Sequence, residues 1–246
     1  MSNLFIFDID NTLKPTFGAI PSSTLEALAR LHDRGHLLAL ATGRGFQESQ
    51  PVFSELPFDY LVCNGGLSVF DRQGRIYSRR ADWIDETVLS YPCMVCCDEG
   101  TFGHDLPLSL KLVSHFYSFF PPMHSAHQFF KMIDRVLPMA DLGDLEIKKL
   151  YLFTSKPPYP NLQDYHLFYF WENQDKAEGI RFLEQYDPRI TYTVCFGDSH
   201  NDLKMFEYCD EGYCMRHSPD ALKALANAII DLKGGIYEIC QSRKWI

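Results

Sequence analysis

The sequence predicts an α/β fold, a doubly wound, Rossmann-like parallel sheet interrupted by an inserted α+β domain. Three observations lead to this prediction. Apolar strand-like runs alternate with amphipathic helical patterns in the first third of the chain, and again in the last third. Such alternation favours parallel strands joined by right-handed crossovers. The stretch between them is rich in aromatic residues and hairpin-like alternation, which indicates a separate antiparallel unit.

The first third contains three predicted buried strands separated by two helices. The first helix has Ser23 three residues before Glu26, a capping-box spacing, and Gly35 at its end. The second contains Pro51, which predicts an interruption there. Continuous apolar strands of this kind are typically covered on both faces. In chain order the segments are LFIFDID, PSSTLEALARLHDRG, HLLALAT, GFQESQPVFSEL and DYLVCNGG.

Residues 67–170 are predicted to form the inserted domain, and residues 1–66 and 171–246 the core domain. The insert begins with LSVFDRQGRIYSRR, in which DRQG is the turn of a hairpin. Later strands are predicted for LEIKKLYLFTS and YHLFYFWEN. The parallel pattern then resumes and ends with SPDALKALANAII, a predicted helix with Ser218 and Pro219 in favoured N-cap and N1 positions.

Composition and charge limit the classes of function. The chain is 46% hydrophobic and 22% charged, as in ordinary globular proteins. A net charge of -9 opposes binding to nucleic acid polymers. No run approaches the roughly 20 apolar residues of a membrane span, and the N-terminus does not resemble a signal peptide. We therefore expect a cytoplasmic protein with a small-molecule partner, and no membrane partner; the oligomeric state stays open.

Polar residues collect where the predicted core strands end. Loops and helix N-termini converge at the carboxyl ends of parallel strands, so reactive groups are expected there. Two aspartates after a fully apolar strand would be costly to bury without a cation. The candidates are Asp8 and Asp10; Thr42, Gly43 and Arg44; Asn64 and Gly65; and Gly197, Asp198, Ser199, Asn201 and Asp202, with Lys176 opening the helix before the last of these strands.

These residues form four motifs, namely DIDNT, TGR, the lysine at position 176 and GDSHND. In order and spacing they resemble the motifs of the haloacid dehalogenase-like phosphohydrolase superfamily. The insert lies where the Cof-type (HAD-IIB) sugar-phosphate phosphatases carry their cap domain. The resemblance covers nearly all of residues 1–66 and 171–240, and the insert only in outline. It implies a Mg2+-dependent phosphatase for a small phosphorylated metabolite, a sugar phosphate, whose cap selects the substrate.

Phosphoryl transfer explains the residue types of these motifs. A phosphate ester is an anion, so its site must supply positive charge together with an anionic nucleophile. Mg2+ bound by Asp8, Asp198 and the backbone carbonyl of Asp10 would meet this need, with Asp8 forming an aspartyl-phosphate. By resemblance, Asp10 is the general acid and then the general base. That role requires a pKa raised by a nearby carboxylate and partial burial.

The remaining motif residues are predicted to hold the phosphoryl group. The hydroxyl of Thr42 and the amide of Gly43 lie where a strand opens into a helix, a favourable place for an anion. Lys176 would oppose the charge on the phosphoryl oxygens. Asn201 matches the superfamily asparagine that reaches the phosphate, and Asp202 is expected to orient Lys176 or a metal-bound water.

Two features depart from the superfamily pattern. Asn11 replaces a common glycine in the first motif, a change that leaves both aspartates intact. The connection KPPYPNLQD, between the two late strands of the insert, is too short and proline-rich for the crossover helix of the second cap repeat. We therefore predict a shortened C2-type cap with a wider entrance, which the aromatic stretch 116–130 could refill. Substrate choice does not transfer from relatives with a full cap.

Several other residues have more than one interpretation. Arg44 fits a surface or supporting role as well as substrate contact. Cys93, Cys96 and Cys97 form a dense group with a C-x-x-C pair, but a structural zinc site usually needs a second well-spaced pair, so buried or unreactive thiols are favoured over zinc. The H-x-x-H pair lacks a third ligand, which favours packing or substrate contact for its members His124 and His127.

Three alternative functions remain open. A phosphosugar mutase of the same superfamily would return the phosphoryl group to a sugar instead of to water. A receiver-like phospho-aspartate signalling module also places acidic residues, a threonine and a lysine around Mg2+ on a doubly wound sheet. Against it, the acidic pair here flanks a single residue and a large domain is inserted. A binding protein without catalysis is disfavoured, because every expected catalytic residue type is present.

Overall fold

The chain divides into two compact units. The computed structural model describes residues 2–118, 129, 132–166 and 168–246. One unit, the core unit, comprises Met1–Ser78 and Asn173–Ile246, and the other, the inserted unit, comprises Arg79–Glu172. Within the described ranges, no helix is both long and apolar enough to cross a bilayer.

Fourteen strands and seven α-helices have both ends within the described residues. The strands are Ser2–Phe7 (β1), Leu37–Ala41 (β2), Tyr60–Cys63 (β3), Ser68–Phe70 (β4), Arg75–Ser78 (β5), Cys93–Cys96 (β6), Thr101–His104 (β7), Leu137–Pro138 (β8), Lys149–Leu152 (β9), Gln163–Asp164 (β10), Tyr169–Glu172 (β11), Ile190–Gly197 (β12), Glu211–Met215 (β13) and Ala228–Ile230 (β14). The α-helices are Ser22–Asp33 (α1), Phe46–Glu55 (α2), Leu108–Ser118 (α3), Ala177–Tyr186 (α4), Leu203–Tyr208 (α5), Asp220–Leu225 (α6) and Gly235–Ser242 (α7).

The core unit contains an eight-stranded sheet in the order β14-β13-β12-β1-β2-β3-β4-β5. The strands from β14 to β3 are parallel, and β4 and β5 add an antiparallel hairpin at one edge. The first strand of the chain therefore lies inside the sheet, between β2 and β12. This is the parallel α/β sheet predicted from the sequence.

Helices cover both faces of this sheet, as continuous apolar strands require. Successive residues of β1 point to opposite faces, so Phe5 and Phe7 join one buried cluster and Leu4 and Ile6 join another. The first cluster includes apolar residues of α1, α2 and α7, and the second those of α4, α5 and α6. Burial on both sides holds the end of β1 rigidly, and the candidate residues follow at that end.

The inserted unit is built on a second sheet in the order β10-β11-β9-β6-β7-β8, in which only β7 and β8 pair in parallel. β9 and β11 are antiparallel neighbours. Residues 153–166, between them in the chain, contain no helix. The missing crossover helix agrees with the short, proline-rich connection in the sequence.

The boundary of the insert differs from the predicted one. The hairpin of β4 and β5 was expected to open the inserted domain at residue 67, but β4 pairs with β3 and extends the core sheet. The inserted unit accordingly spans Arg79–Glu172 instead of residues 67–170. Alternation of apolar and polar residues around a turn predicts a hairpin, but it does not specify which sheet the hairpin joins.

Two helix signals in the first third also proved wrong. Helix α1 begins one residue before Ser23, with Pro21 as its N-cap and no side-chain cap hydrogen bond, so the predicted capping box is absent. Helix α2 runs through Pro51 without interruption. A proline removes one backbone hydrogen bond, but packing of Phe53 in the core keeps the helix together.

The last predicted helix is shorter than expected. Pro219 is the N-cap of α6 instead of its first residue, and the helix ends at Leu225. Asn227 then exchanges two hydrogen bonds of 2.8 Å with the backbone of Gly212 in β13. This pairing leads into β14, so the segment Ala228–Ile230 is a strand. Tertiary pairing overrides the helix propensity of the alanines here.

Candidate active site

The strand register brings the first and last acidic motifs together. Phe7 of β1 lies opposite Leu40 of β2 on one side and Phe196 of β12 on the other. The backbone N–H of Asp8 continues the pairing and donates to the carbonyl of Phe196 over 2.9 Å. The three strands therefore end at one edge of the sheet, where the residues after each of them meet.

A lysine is buried between two carboxylates at this edge. Lys176 Nζ donates to Asp8 Oδ1 and to Asp202 Oδ1, each over 2.6 Å. Lys176 and Asp202 are fully buried and Asp8 is 5% exposed. The second oxygen of Asp202 accepts the backbone N–H groups of Asp198 and Ser199 over 2.9 and 3.0 Å. We refer to Asp8, Lys176, Asp198 and Asp202 as the buried group.

Burial and neighbouring negative charges shift the pKa values of the side chains in the buried group. Burial raises the pKa of Asp8 to about 8; Lys176 acts against this rise, while Asp202 and Asp198 add to it. Burial and the charge of Asp202 likewise raise the pKa of Asp198, and His217 opposes them. Burial would lower the pKa of Lys176, but the two carboxylates raise it overall. The lysine therefore stays charged, whereas burial and the neighbouring carboxylates disfavour the ionised forms of Asp8 and Asp198.

A tight turn positions the start of α4, where Lys176 lies. Gly65 and Gly66 have φ angles of 63° and 103°, a region that favours glycine. A Cβ on Gly65 would lie 1.9 Å from the carbonyl oxygen of Asn173, and one on Gly66 would lie 2.2 Å from that of Asp175. The side-chain amide of Asn173 also donates to the Gly65 carbonyl over 2.7 Å. The two glycines thus allow the backbone before Lys176 to approach closely.

Asp10 lies in a different environment from the one predicted. Its carboxylate accepts hydrogen bonds from Arg44 Nε and Nη2 over 2.8 and 2.5 Å, and we refer to these two residues as the exposed pair. The side chains of Asp10 and Arg44 are 53% and 26% exposed. Partial burial beside a carboxylate was expected for Asp10, but the side chain is half-exposed and lies against a guanidinium group.

The loop after Asp10 explains the asparagine in the first motif. Asn11 has a φ of 57°, in the left-handed region that glycine and asparagine adopt more readily than other residues. Its Oδ1 accepts hydrogen bonds from the backbone N–H and the hydroxyl of Thr16 over 3.1 and 2.5 Å. Asparagine therefore satisfies the backbone requirement of a glycine here and also ties down the loop.

The predicted phosphate-binding residues lie at the ends of β2 and β12. Thr42 is buried, and its Oγ1 accepts the backbone N–H of Arg44 over 3.1 Å. The backbone N–H of Gly43 has no partner among the described residues. Asn201 lies in a 3-10 helix after β12, and its Oδ1 accepts the hydroxyl of Ser199 over 2.7 Å. Free donors thus remain near the end of β2.

One group in the described part of the chain has the composition of a metal site. Single oxygens of Asp8, Asp198 and Asp202 all lie within 4.8 Å of one another. Asp202 is hydrogen-bonded to Lys176 and to two backbone N–H groups, so Asp8 and Asp198, which have fewer hydrogen-bond partners, are the better candidate ligands. Asp10 was predicted to contribute only its backbone carbonyl to the metal, and its side chain is not in this group.

Two residues near Asp198 were missed by the sequence interpretation. Thr12 Oγ1 donates to Asp198 Oδ1 over 3.3 Å, and His217 Nε2 lies 3.1 Å from Asp198 Oδ2. His217 follows β13, which ends at the same edge as β12, so inspection of that strand end would have identified it. Thr12 lies in an irregular loop, and neither hydrophobic periodicity nor a strand end marks it.

The cysteines singled out in the insert belong to no group of three or more potential metal ligands among the described residues. Cys93 and Cys97 are buried, and burial raises the pKa of their thiols to about 11 and about 12. Cys96 is half-buried. His124 and His127 lie outside the described residues.

Comparisons with known proteins agree with the motif resemblance. The chain matches the family of haloacid dehalogenase-like hydrolases over residues 5–90 and 146–237. It is 27% identical to YkrA of Bacillus subtilis (strain 168), which is named as a candidate phosphatase, over 97% of this chain and 96% of YkrA. It is 23% identical to the 5-amino-6-(5-phospho-D-ribitylamino)uracil phosphatase YitU of the same strain, over 91% of this chain and 90% of YitU.

A solved structure shows the same fold. The HAD subclass IIB sugar phosphatase BT4131 superposes with a TM-score of 0.69 at 21% identity, covering 100% of both chains. The family match spans well over half of the sequence and includes all four motifs. This chain therefore belongs to the haloacid dehalogenase-like hydrolases and is a phosphatase, a hydrolase of phosphoric monoesters.

Proposed function

We propose that this phosphatase is Mg2+-dependent and hydrolyses a small sugar phosphate through an aspartyl-phosphate on Asp8. The observation that carries the proposal is the placement of that carboxylate. Asp8 is fixed at the end of a central strand, and only its Oδ1 accepts a hydrogen bond from Lys176. Its other oxygen has no hydrogen-bond partner among the described residues, so it is available to attack phosphorus.

The buried group fits a divalent cation. With Asp8, Asp198 and Asp202 all ionised, the buried group would carry two more negative charges than Lys176 balances, and a cation of charge two would offset them. Carboxylate oxygens are the hard ligands that Mg2+ prefers, and Asp8 and Asp198 are the two that remain available. Bound Mg2+ would withdraw charge from a phosphoryl oxygen and favour the ionised form of Asp8.

The protein's own donors would hold the phosphoryl group. Lys176 supplies a positive charge that the two carboxylates keep in place. Thr42 and the free N–H of Gly43 offer hydrogen bonds at the end of β2, and Asn201 offers its side-chain amide at the end of β12. Donors from separate strand ends would thus surround the oxygens that gain negative charge during the reaction.

Asp10 is the proposed proton-transfer residue. Its carboxyl group would protonate the leaving oxygen when Asp8 attacks. It would then accept a proton from the water that hydrolyses the aspartyl-phosphate. The family motif supports this assignment, since Asp10 occupies the second acidic position of DIDNT.

The substrate class rests on the relatives and on the size of the insert. YitU is named for a phosphorylated ribityl compound and BT4131 as a sugar phosphatase. Both names indicate phosphate esters of a polyol or sugar. The inserted unit is about 94 residues long, as Arg79–Glu172, and we propose that it selects the leaving group.

Replacing the nucleophile tests the proposal. Asp8→Asn should reduce hydrolysis of p-nitrophenyl phosphate by more than about a thousandfold, because the covalent step is lost. The wild-type enzyme should lose activity in EDTA and regain it with Mg2+. Retained activity in Asp8→Asn would overturn the assignment of the nucleophile. A panel of phosphorylated sugars, nucleotides and cofactors should show a preference for sugars, and a flat response would overturn that substrate class.

Product analysis separates this proposal from the mutase alternative. A phosphatase releases inorganic phosphate in the same molar amount as the dephosphorylated product. A phosphosugar mutase would instead yield an isomeric sugar phosphate with little free phosphate. A receiver-like module would accumulate phosphorylated protein without steady turnover.

A further inference from the structure

We propose that His217 is a positioning residue that holds the carboxylate of Asp198 in the orientation that binds Mg2+. The inference rests on the proposed function, because it takes Asp198 as a ligand of the metal ion. The four sequence motifs end before His217, so this role is inferred from the contacts of its side chain and backbone.

Asp198 is the carboxylate of the buried group that Lys176 does not hold. Lys176 Nζ donates to Asp8 and to Asp202, each over 2.6 Å. In the described part of the chain, no hydrogen bond joins Lys176 to Asp198. Asp198 is also buried, and it follows directly after β12. The orientation of its carboxylate therefore depends on donors other than the lysine.

Each carboxylate oxygen of Asp198 has one side-chain partner among the described residues. Thr12 Oγ1 donates to Oδ1 over 3.3 Å, and His217 Nε2 lies 3.1 Å from Oδ2. The ionised carboxylate of a metal ligand only accepts hydrogen bonds, so Nε2 must be the donor when the metal is bound. Because O–H donors usually lie about 2.7–2.8 Å from their acceptors and N–H donors about 2.9–3.0 Å, the contact with His217 is nearer its ordinary length. His217 thus holds the carboxylate more firmly than Thr12 does.

The backbone on either side of His217 is fixed by two strands. The N–H of Arg216 donates to the carbonyl of Ile230 in β14 over 3.0 Å. The N–H of Ser218 donates to the carbonyl of Met215, the last residue of β13, over 3.0 Å. Because β13 pairs in parallel with β12, the imidazole extends from an anchored turn to the end of the neighbouring strand. A side chain held in this way can restrict the rotation of a carboxylate.

Loss of the imidazole should weaken metal binding and have little effect on the fold. The side chain of His217 is 49% exposed, so its removal leaves no closed cavity in the core. It does remove one of the two side chains that orient the carboxylate of Asp198. Groups that orient a metal ligand typically contribute about 10- to 100-fold to metal affinity. Since Thr12 remains, we expect His217→Ala to raise the Kd for the metal ion by about tenfold, at the lower end of that range.

Binding of Mn2+ to the substrate-free protein tests this inference without turnover. Carboxylate oxygens suit Mn2+ as well as Mg2+, and electron paramagnetic resonance measures free Mn2+ directly. His217→Ala should bind one ion per chain with a Kd about tenfold above that of the wild type. The number of ions bound counts the intact sites, so misfolded protein does not affect the Kd. Asp198→Asn should lose the site, which identifies the ion that is measured.

A conservative variant and a matched control sharpen the measurement. The amide nitrogen of glutamine lies the same number of bonds from Cα as Nε2 of histidine, so His217→Gln keeps a donor at this position. It should restore a Kd close to that of the wild type, and a Kd as high as that of His217→Ala would contradict the role of the donor. The control is His32→Ala, at an exposed histidine of α1, which should leave the Kd unchanged.

Steady-state kinetics with p-nitrophenyl phosphate distinguish positioning of the metal ligand from contact with the substrate. If His217 acts through Asp198, His217→Ala should need about tenfold more Mg2+ for half-maximal activity. Its deficit in rate should shrink as Mg2+ approaches saturation. A raised KM for the ester at saturating Mg2+, together with an unchanged Kd for Mn2+, would show substrate contact and overturn the positioning role.

The outcomes separate this inference from the proposed function. If the wild type and His217→Ala bind Mn2+ equally well, the positioning role is wrong and the proposed function stands. Retained Mn2+ binding in Asp198→Asn would show that this carboxylate is not a ligand, and both the inference and the proposed metal site would fall. Full activity of Asp8→Asn would overturn the nucleophile alone, since a weaker affinity of His217→Ala for Mn2+ would still support the positioning role.

Discussion

The buried group and the exposed pair each combine an acidic motif residue with a basic one, in opposite surroundings. Asp8 and Asp10 are two residues apart in the chain, but the first is 5% exposed and the side chain of the second is 53% exposed. Lys176 beside Asp8 is fully buried, whereas the side chain of Arg44 beside Asp10 is 26% exposed. One strand end thus supplies a rigid carboxylate and an accessible one.

The difference fits the division of labour proposed for the two carboxylates. A nucleophile must be held at one position, and burial between two neighbouring strands achieves this. A proton-transfer residue must change its partner between steps, which an ion pair at the surface permits because water weakens it. The same contrast predicts that substitutions in the buried group cost much more stability than those in the exposed pair.

The largest effect is expected for Lys176→Met, which removes the cation of the buried group. Asp8 and Asp202 would then be buried without their shared partner, and breaking a buried ion pair typically costs about 3–5 kcal/mol. Urea denaturation should show this loss in the free energy of unfolding, together with loss of phosphatase activity. Lys233→Met, at an exposed lysine of the same unit, is the control and should be neutral. Equal stability of the two variants would contradict the expectation that the buried group contributes more to stability than exposed charges do.

The next largest effect is expected where the backbone supports Lys176. Gly65→Ala would place a Cβ 1.9 Å from the Asn173 carbonyl oxygen, so the turn and the start of α4 would have to move apart. Gly35→Ala is a matched control, because its φ of 81° is also positive but nothing lies within 4 Å of the added Cβ. The control should cost about 1–2 kcal/mol for the left-handed backbone alone.

Overpacking should reduce the free energy of unfolding of Gly65→Ala by about 1–3 kcal/mol more than the loss in Gly35→Ala. Activity should fall in Gly65→Ala and not in Gly35→Ala, since only the former displaces Lys176. Chemical denaturation and steady-state kinetics measure both effects. Similar stability of the two variants would show that the close approach at Gly65 is not required.

A smaller effect is expected at Asp187, a buried carboxylate outside the buried group that has its own hydrogen-bond donors. Its side chain is 5% exposed and accepts hydrogen bonds from Arg189 and from the hydroxyl of Tyr60, each over 2.6 Å. The Arg189 hydrogen bonds lower the pKa of Asp187 to about 2, against the effect of burial. Asp8, crowded by two other carboxylates, shows the opposite shift.

Because the pKa of Asp187 is lower in the folded state, its contribution to stability is full above pH 4 and is lost as the pH falls through about 2. Asp187→Asn should therefore reduce the free energy of unfolding by about 2 kcal/mol at pH 6. The difference from wild type should shrink towards pH 2. Denaturation curves over this pH range measure it, and a difference that is independent of pH would refute the ion-pair explanation.

The smallest effect on stability is expected for Arg44→Ala. Ion pairs at this degree of exposure contribute about 0–1 kcal/mol, because water and salt screen them. Thermal and urea denaturation should place this variant within about 1 kcal/mol of wild type, whatever its kinetics. A loss as large as that of Lys176→Met would show that Arg44 belongs to the rigid part of the site.

Much of the core unit could be predicted from the sequence. Apolar runs predicted β1, β2 and β3, the resumed alternation of strands and helices predicted β12, and the rule that parallel strands end at one edge brought their polar residues together. Lys176 was also predicted near an anion, because a cation at a helix start is otherwise unfavourable. These predictions succeeded because each depends on local pattern and on a general property of parallel sheets.

Several of the predictions that failed depend on contacts distant in sequence. Nothing local shows that β4 pairs with β3 and not within the insert, or that Asn227 pairs with Gly212 and ends α6. The burial of Asp10 was misjudged because it depends on where the loop after β1 turns. Its partner Arg44 lies 34 residues away, on a different strand end.

The position of β1 in the sheet has a consequence for synthesis of the protein. Asp8 and Lys176 are separated by 168 residues, so at about 5–20 residues per second the lysine is made about 10–30 s after the carboxylate it neutralises. Until β12 follows, β1 can pair only with β2 and has one free edge. The strand that bears the proposed nucleophile is therefore translated first, but it gains its second neighbouring strand only near the end of synthesis. A ribosome stalled within the insert would hold a chain with no assembled site.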